Sequence, residues 1–139
     1  DSEVKNKINR LVKHREWYRP FAPSVLEESQ SEYFESNFPS PFMQMVYPVK
    51  SQVQKLIPAV THVDGTGRVQ TVSKKTNPKY WKLIDEFGKL TDIRLVLNTS
   101  YNDNDEPIVC TPKEALRTYF GTGLHELYIG NYRVRKDGN

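Results

Sequence analysis

The feature that most constrains the fold is an amphipathic stretch at residues 78–90, followed directly by an apolar run at residues 93–97. Asn77 is a good N-cap, and Pro78 occupies the first helical position, where a missing N–H costs no hydrogen bond. The apolar side chains of the stretch recur at helical spacing, at Tyr80, Trp81, Ile84, Phe87 and Leu90. A helix followed by a continuous apolar strand is typical of helices packed on a buried sheet.

Similar signals along the rest of the chain predict alternating helices and strands, and therefore a mixed α/β domain with helices packed on a sheet. Further helices are predicted at residues 2–13, 27–34, 51–56 and 112–120. Further strands are predicted at residues 21–26, 42–49, 59–63, 68–72, 108–109 and 127–134. A turn at residues 64–67 is expected to join two of these strands as a hairpin. Thr111 and Glu114 form a capping box that begins the last helix.

Composition limits the classes of protein to consider. The 139 residues suffice for one domain with a hydrophobic core, and 37% hydrophobic residues fit a folded, soluble protein. No window is apolar enough to span a membrane, and no basic-then-apolar leader opens the sequence, so neither a membrane span nor a signal peptide is expected. A single cysteine makes a reducing, cytoplasmic setting the default expectation. Cys110 is the one cysteine, which excludes an intramolecular disulfide and is expected to be a small core residue. The net charge of +3 does not by itself indicate a nucleic-acid-binding surface.

Cations, prolines and aromatic residues are concentrated in residues 13–23. The three cations are Lys13, Arg15 and Arg19. Arginine grips a phosphate or carboxylate through two N–H groups, and the prolines at 20 and 23 would hold the arrangement at low entropic cost. The segment therefore predicts an anion site. The alternative is a helix end whose cations interact favourably with the helix dipole and whose aromatic residues lie in the core. These aromatic residues are Trp17, Tyr18 and Phe21.

Two further segments place polar residues between apolar runs. In residues 61–70, strand alternation would place His62 and Asp64 on one face. The glycines of this segment would let a ligand approach backbone N–H groups closely, and Arg68 adds a cation. A plain turn explains the same pattern, and two metal ligands without a third are a weak metal site. In residues 98–102, amide and hydroxyl side chains follow an apolar strand, where ligands of open α/β sheets bind; the alternative is a polar turn.

Taken together and in order, these segments resemble the C-terminal domain of the NodU/CmcH family of O-carbamoyltransferases. The stretches that carry the resemblance are residues 13–16 with 19–24, 62–71, 98–102 with 106–109, and 127–132. The resemblance covers nearly the whole chain, and it implies a YrdC-like fold, a twisted mixed β-sheet flanked by helices, as a single domain over residues 1–139. YrdC-like domains carry a K-x-R and S-x-N pattern at a nucleotide site. The matching residues here are Lys13, Arg15, Ser100 and Asn102.

The resemblance also implies an activity. The domain would use ATP, Mg²⁺ and carbamoyl phosphate to form carbamoyl-adenylate, and an N-terminal Kae-like domain holding its own metal would transfer the carbamoyl group to an acceptor hydroxyl. Adenylate formation builds negative charge at the α-phosphate, so cations and N–H donors are needed more than a nucleophile. The expected catalytic residues are Lys13, Arg15, His62 and Arg68. The expected nucleotide- and substrate-binding residues are Lys13, Arg15, Arg19, Asp64, Thr66, Asn98, Ser100 and Asn102. His62 and Asp64 are expected to position the carbamoyl group or to help organise Mg²⁺, with Asp64 as the candidate ligand and no metal site firmly assigned.

The chain departs from the family in two respects. It lacks the transfer domain, and it lacks a motif of the form G-R-M-E-F-G-P-R-A-L-G that precedes this region in relatives. A fragment is therefore expected, with the Kae-like domain supplied in cis or in trans. Two alternatives stay open: an inactive remnant, and a non-catalytic module that binds a nucleotide or RNA through a basic stripe. The stripe would comprise Lys5, Lys7, Arg10, Lys13, Arg15 and Arg19.

Overall fold

A computed structural model describes residues 3–136 and has a mixed α/β fold, which confirms the predicted fold class. The helices are α1 (Val4–Leu11), α2 (Gln30–Tyr33), α3 (Pro78–Thr91) and α4 (Pro112–Gly121), with a 3-10 turn at Glu27–Ser29. The strands are β1 (Ala22–Leu26), β2 (Met45–Pro48), β3 (Thr66–Val72), β4 (Leu95–Asn98), β5 (Glu126–Ile129) and β6 (Tyr132–Arg135). Among these residues no helix has the length and apolar character needed to cross a membrane.

The chain divides into two compact units. The first comprises residues 20–99 and is built on a four-stranded sheet in the order β2-β3-β1-β4. β1 and β3 are parallel, whereas β2 pairs antiparallel with β3 and β4 pairs antiparallel with β1. Because β4 is antiparallel to β1 and β3, the C-terminal end of β4 lies at the end of the sheet where those two strands begin.

The two faces of this sheet are covered differently. On one face, Leu26 and Val72 form a buried cluster with Ile84 of α3, and Trp81 packs against it. Strand alternation places Thr66, Arg68 and Gln70 on the same face as Val72, towards the start of β3. On the other face Gly67 lies against Phe34, Val49 and Val60, where an added Cβ would be 3.3 Å from the Phe34 ring. One face therefore has an apolar end beneath α3 and a polar end.

The second unit comprises residues 3–19 and 100–136, with α1, α4 and a hairpin of β5 and β6. α4 begins with the predicted capping box, in which Thr111 accepts from the Glu114 N–H and the Glu114 carboxylate accepts from the Thr111 N–H. The most buried residue of α1 is polar: Asn9 is 1% exposed, whereas Leu11 of the predicted apolar face is 41% exposed. The predicted beginning of this helix at residue 2 lies outside the described residues.

Two predicted elements of the first unit are wrong. Residues 51–56 and 59–63 form successive turns instead of a helix and a strand. The predicted hairpin between 59–63 and 68–72 does not form because β3 is paired along both edges, by β2 and by β1. Ile57 and Val60 are instead buried from within the turns, so their apolar character reflects packing and not strand pairing.

Two predictions in the second unit also need correction. Residues 108–109 form no strand, and Cys110 is exposed in the segment before α4, where its N–H donates to Glu114. The predicted strand at 127–134 is two strands, β5 and β6, joined by a two-residue turn. Gly130 has a φ of 58° in that turn, a conformation that favours glycine.

Candidate functional site

The second unit brings Lys13 together with Ser100 and Asn102, which lie 87 and 89 residues further along the chain. The Lys13 side chain is 3% exposed. Its Nζ donates to the Asn102 Oδ1 at 2.6 Å and the Asn102 carbonyl at 2.7 Å. It also lies 3.1 Å from the Ser100 carbonyl and 3.4 Å from the Ser100 Oγ. Three of the four residues of the K-x-R and S-x-N pattern therefore form one cluster.

The Lys13 ammonium is largely occupied by these contacts. It has three hydrogens for four oxygens, so the loop at residues 100–102 is held to the end of α1 by one charged group. Burial lowers the pKa of Lys13 and the charge of Arg15 lowers it further, while Asp103 raises it. An incoming phosphate oxygen would most easily replace the 3.4 Å contact to the Ser100 Oγ, which is the longest of the four.

Arg15 is held near this cluster by a residue that sequence reasoning missed. The Arg15 Nε donates to the Asn9 Oδ1 at 2.8 Å, and the Asn9 Nδ2 donates to the carbonyls of Trp17 and Arg19 at 3.2 and 3.1 Å. Burial lowers the pKa of Arg15, with a further contribution from Arg19. Asn9 thus fixes the path of the chain after α1, and the only sequence signal for it is a polar residue within an amphipathic helix.

A second missed pair flanks the Lys13 cluster. The His14 Nδ1 lies 2.8 and 2.9 Å from the two carboxylate oxygens of Asp103, and His14 has a φ of 44°. Burial would raise the pKa of Asp103, but hydrogen bonds from the Asn104 N–H and from His14 lower it overall. His14 directly follows Lys13 in the chain, and Asp103 directly follows Asn102. The contact between His14 and Asp103 could therefore be inferred once the contact between Lys13 and Asn102 was known.

The core alternative for the aromatic residues of 13–23 is wrong for two of the three. Trp17 is 70% exposed and Tyr18 is 60% exposed, whereas Phe21 is buried as that alternative requires. Arg19 is exposed and its Nε lies 3.6 Å from the Glu16 carboxylate, a surface pair of small energetic weight. The predicted basic stripe also loses a member, because Lys13 is buried.

The first unit brings His62, Asp64 and Thr66 together through a tight turn. The prediction that a strand aligns His62 with Asp64 is wrong. Instead the His62 N–H donates to the Thr66 carbonyl at 2.7 Å, and the Thr66 Oγ1 donates to the Asp64 Oδ1 at 2.7 Å and lies 3.2 Å from the His62 Nδ1. Burial lowers the pKa of His62, so the imidazole is neutral at pH 7. Hydrogen bonds from Thr66 lower the pKa of Asp64, which is therefore ionised.

Arg68 and Asn98 lie at the polar end of the same sheet. Arg68 is exposed on β3, and within residues 3–136 its guanidinium has neither a hydrogen bond nor an ion pair. Asn98 ends β4, and its Nδ2 donates to the Gln70 Oε1 at 2.8 Å. The Ser24 Oγ donates to the same Gln70 oxygen at 2.7 Å. Gln70 was not predicted as a site residue, although alternation from Arg68 places it on the same face.

The described residues contain no group of three or more His, Cys, Asp or Glu side chains able to hold a metal ion. Asp64 is a single exposed carboxylate whose Oδ1 accepts two hydrogen bonds from Thr66. Mg²⁺ in nucleotide sites is commonly held by one or two carboxylates together with substrate phosphates. Asp64 fits such a site, in which it would supply the protein's share of the ligands.

Comparisons with known proteins agree with the resemblance drawn from the sequence. Residues 1–136 match the family model described as carbamoyltransferase C-terminus. The chain is 50% identical to nodulation protein NolNO of Sinorhizobium fredii, over 95% of this chain and 20% of that protein. It is 49% identical to nodulation protein NolO of Bradyrhizobium diazoefficiens, over 97% of this chain and 25% of that protein. Nodulation protein U of Sinorhizobium fredii is 39% identical over 72% of this chain. The chain thus spans a quarter or less of the length of these relatives.

Proposed function

This chain belongs to the carbamoyltransferase C-terminus family, and on that premise we propose that it binds ATP and carbamoyl phosphate and forms carbamoyl-adenylate. The proposed reaction has two steps. Water first hydrolyses carbamoyl phosphate to carbamate and inorganic phosphate. A carbamate oxygen then bonds to the α-phosphorus of ATP, and pyrophosphate leaves. Because the relatives are several times longer, the carbamoyl group would pass to an acceptor hydroxyl in a separate Kae-like domain.

The observation that carries this proposal is the cluster of Lys13, Ser100 and Asn102. The resemblance implies that these residues belong to one nucleotide site, and their contacts of 2.6 to 3.4 Å support this assignment. We assign ATP to this cluster with Arg15. Lys13 fixes the loop and supplies positive potential, which favours the charge that builds on the phosphates in the transition state.

The carbamoyl donor is assigned to the polar end of the sheet in the first unit. Arg68 is exposed and unpaired in the described structure, so its N–H groups are available to a phosphate in the two-point geometry that arginine favours. His62 is neutral at pH 7 and can accept or donate a hydrogen bond without adding charge. Asp64 would hold Mg²⁺ together with substrate phosphates, and the ion would neutralise part of their charge.

Calorimetry with Mg·ATP and with carbamoyl phosphate tests the proposal on this 139-residue chain. Arg68→Gln should weaken carbamoyl phosphate binding by about tenfold or more, because a charge-assisted pair is lost, and leave thermal stability unchanged. Lys13→Met should weaken Mg·ATP binding and also lower stability. Lys82→Gln is the matched control: it removes one exposed cation from α3 and should change neither affinity.

The outcomes separate the open readings. Carbamoyl-adenylate formed from both substrates, detected by release of pyrophosphate, supports the proposal. A folded chain that binds neither substrate refutes it and favours an inactive remnant. Binding of RNA that weakens steeply with salt, without competition by ATP, favours a nucleic-acid module instead. Transfer to an acceptor requires a separately expressed Kae-like domain in the same assay.

A further inference from the structure

The hydrogen bonds around Gln70 fix which end of the Asn98 amide faces outward. The Gln70 Nε2 donates to the Pro41 carbonyl at 3.3 Å, and a carbonyl oxygen can only accept. This contact directs the Gln70 Oε1 towards Ser24 and Asn98, which lie at 2.7 and 2.8 Å. Since Oε1 is also only an acceptor, the Asn98 atom that faces it must be the amide nitrogen.

The same network accounts for both hydrogens of the Asn98 amide. One is directed to the Gln70 Oε1, and the other to the Met43 Sδ at 3.7 Å. The Asn98 Oδ1 accepts no hydrogen bond from any described residue. Asn98 therefore presents an oriented acceptor at the polar end of the sheet.

Ser24 makes this orientation rigid. It is fully buried on β1, where it pairs in register with Gln70. The Gln70 Oε1 thus accepts two hydrogen bonds. A flip of the Gln70 amide would place its nitrogen, which is only a donor, against these two donors and is therefore unfavourable. Gln70 is a positioning residue, and Asn98 is the residue that would touch the ligand.

An oriented acceptor selects ligands by the donors they carry. From these contacts we propose that Asn98, held by Gln70, accepts a hydrogen bond from the amino group of the carbamoyl donor and so distinguishes it from acyl phosphates without that group. The inference rests on the proposed function, because it takes carbamoyl phosphate as the ligand of this end of the sheet. Arg68 lies two residues from Gln70 on the same face and would bind the phosphate of the same molecule.

Acetyl phosphate is the discriminating probe, because it has nearly the same shape and carries a methyl group in place of the amino group. Calorimetry on the wild-type chain should find carbamoyl phosphate bound about tenfold or more tightly than acetyl phosphate, since the methyl group leaves the Asn98 acceptor unpaired. Gln70→Met keeps the length of the side chain but frees the Asn98 amide to rotate, so the ratio should fall towards one. Gln70→Glu is the matched control, because a carboxylate still accepts from Asn98 and should preserve the ratio.

The results separate this inference from the proposed function. Binding of both acyl phosphates with equal affinity overturns the selectivity but leaves carbamoyl phosphate as a ligand. A selectivity that survives in Gln70→Met also overturns it, whereas a wild-type chain that binds neither compound refutes both proposals. As a further comparison, binding of ATP is measured against an ATP analogue that lacks the 6-amino group of adenine. If the chain prefers ATP and Gln70→Met abolishes this preference, the Asn98 Oδ1 accepts from adenine, which would overturn the inference. The wild-type comparison of the two acyl phosphates decides the case even if a variant does not fold.

Discussion

Asn9 should contribute more to stability than any residue of the apolar face of α1. Its side chain is 1% exposed and makes three hydrogen bonds, one with the Arg15 guanidinium and two with backbone carbonyls. Asn9→Ala removes all three. The carbonyls belong to Trp17 and Arg19, which are exposed, so water can partly replace the lost donor there. At Arg15, which is only partly exposed, replacement is less complete.

The expected loss follows from these contacts. A neutral hydrogen bond contributes about 1 kcal/mol net, and one to a charged group about 2 kcal/mol. Alanine recovers about 0.6 kcal/mol through its higher helix propensity. With the rehydration of the two carbonyls taken into account, Asn9→Ala should lower the free energy of unfolding by about 2–3 kcal/mol. For an unfolding slope of about 2 kcal/mol per molar urea, the midpoint should fall by about 1–1.5 M.

Urea unfolding followed by circular dichroism measures this change. Asn6→Ala is the matched control, because Asn6 is exposed on the same helix and shares only the gain in helix propensity. Asn9→Asp should be intermediate, since a carboxylate keeps the bond to Arg15 and loses both bonds to the carbonyls. Equal midpoints for Asn9→Ala and Asn6→Ala would refute the conclusion that Asn9 organises the segment after α1.

Three further predictions concern pH and packing. Burial lowers the pKa of His62 below its ordinary 6.5, so on acidification the unfolded chain takes up this proton before the folded chain does. The free energy of unfolding of the wild-type chain should therefore fall as the pH drops below about 6.5. His62→Gln should remove this dependence of stability on pH, as measured by unfolding curves across about pH 5 to 8. A Cβ at Gly123 would lie 2.8 Å from a side-chain carbon of α1, so Gly123→Ala should cost about 1–3 kcal/mol, whereas Gly121→Ala, which meets nothing within 4 Å, should not destabilise. Hydrogen bonds from Arg133 and Tyr128 lower the pKa of Glu126 from 4.5 to about 2, so an NMR titration of Arg133→Ala should find this pKa raised, but still below 4.5 because Tyr128 and Arg135 remain. The first argument is contradicted if stability depends on pH equally in the wild type and in His62→Gln, and the second if the two glycine variants are equally stable. The third is contradicted if the pKa of Glu126 is the same in Arg133→Ala as in the wild type.

Local signals predicted the elements whose stabilising contacts are themselves local. The Asn77 side chain accepts from the Tyr80 N–H, and Thr111 forms its capping box with Glu114, so both helix beginnings could be read within four residues. β1 and β4 were likewise recognisable from short apolar runs. In each case the sequence pattern and the stabilising contact extend over the same few residues.

Elements that depend on distant partners could not be predicted in this way. Residues 59–63 have the β-branched composition of a strand, but Val60 is buried while Val63 is fully exposed, and both edges of β3 are already paired. Strand pairing is decided by which edges are free, and that is a property of the whole sheet. Asn9 was missed for a related reason, because a search for apolar periodicity assigns a polar helix residue to the solvent.

Lys13 and Arg68 were both selected as phosphate-binding cations, yet their surroundings are opposite. Lys13 is buried, has a lowered pKa and directs its hydrogens to four oxygens of residues 100–102. Arg68 is exposed and unpaired among the described residues. A charge that already satisfies protein oxygens must exchange a contact before it binds an anion, whereas an unpaired guanidinium gives up only water. Substitution of Lys13 should therefore affect folding and nucleotide binding together, and substitution of Arg68 should affect binding alone. If a phosphate binds as proposed, the number of unsatisfied N–H groups, and not the count of positive charges, identifies the residue that would contact it first.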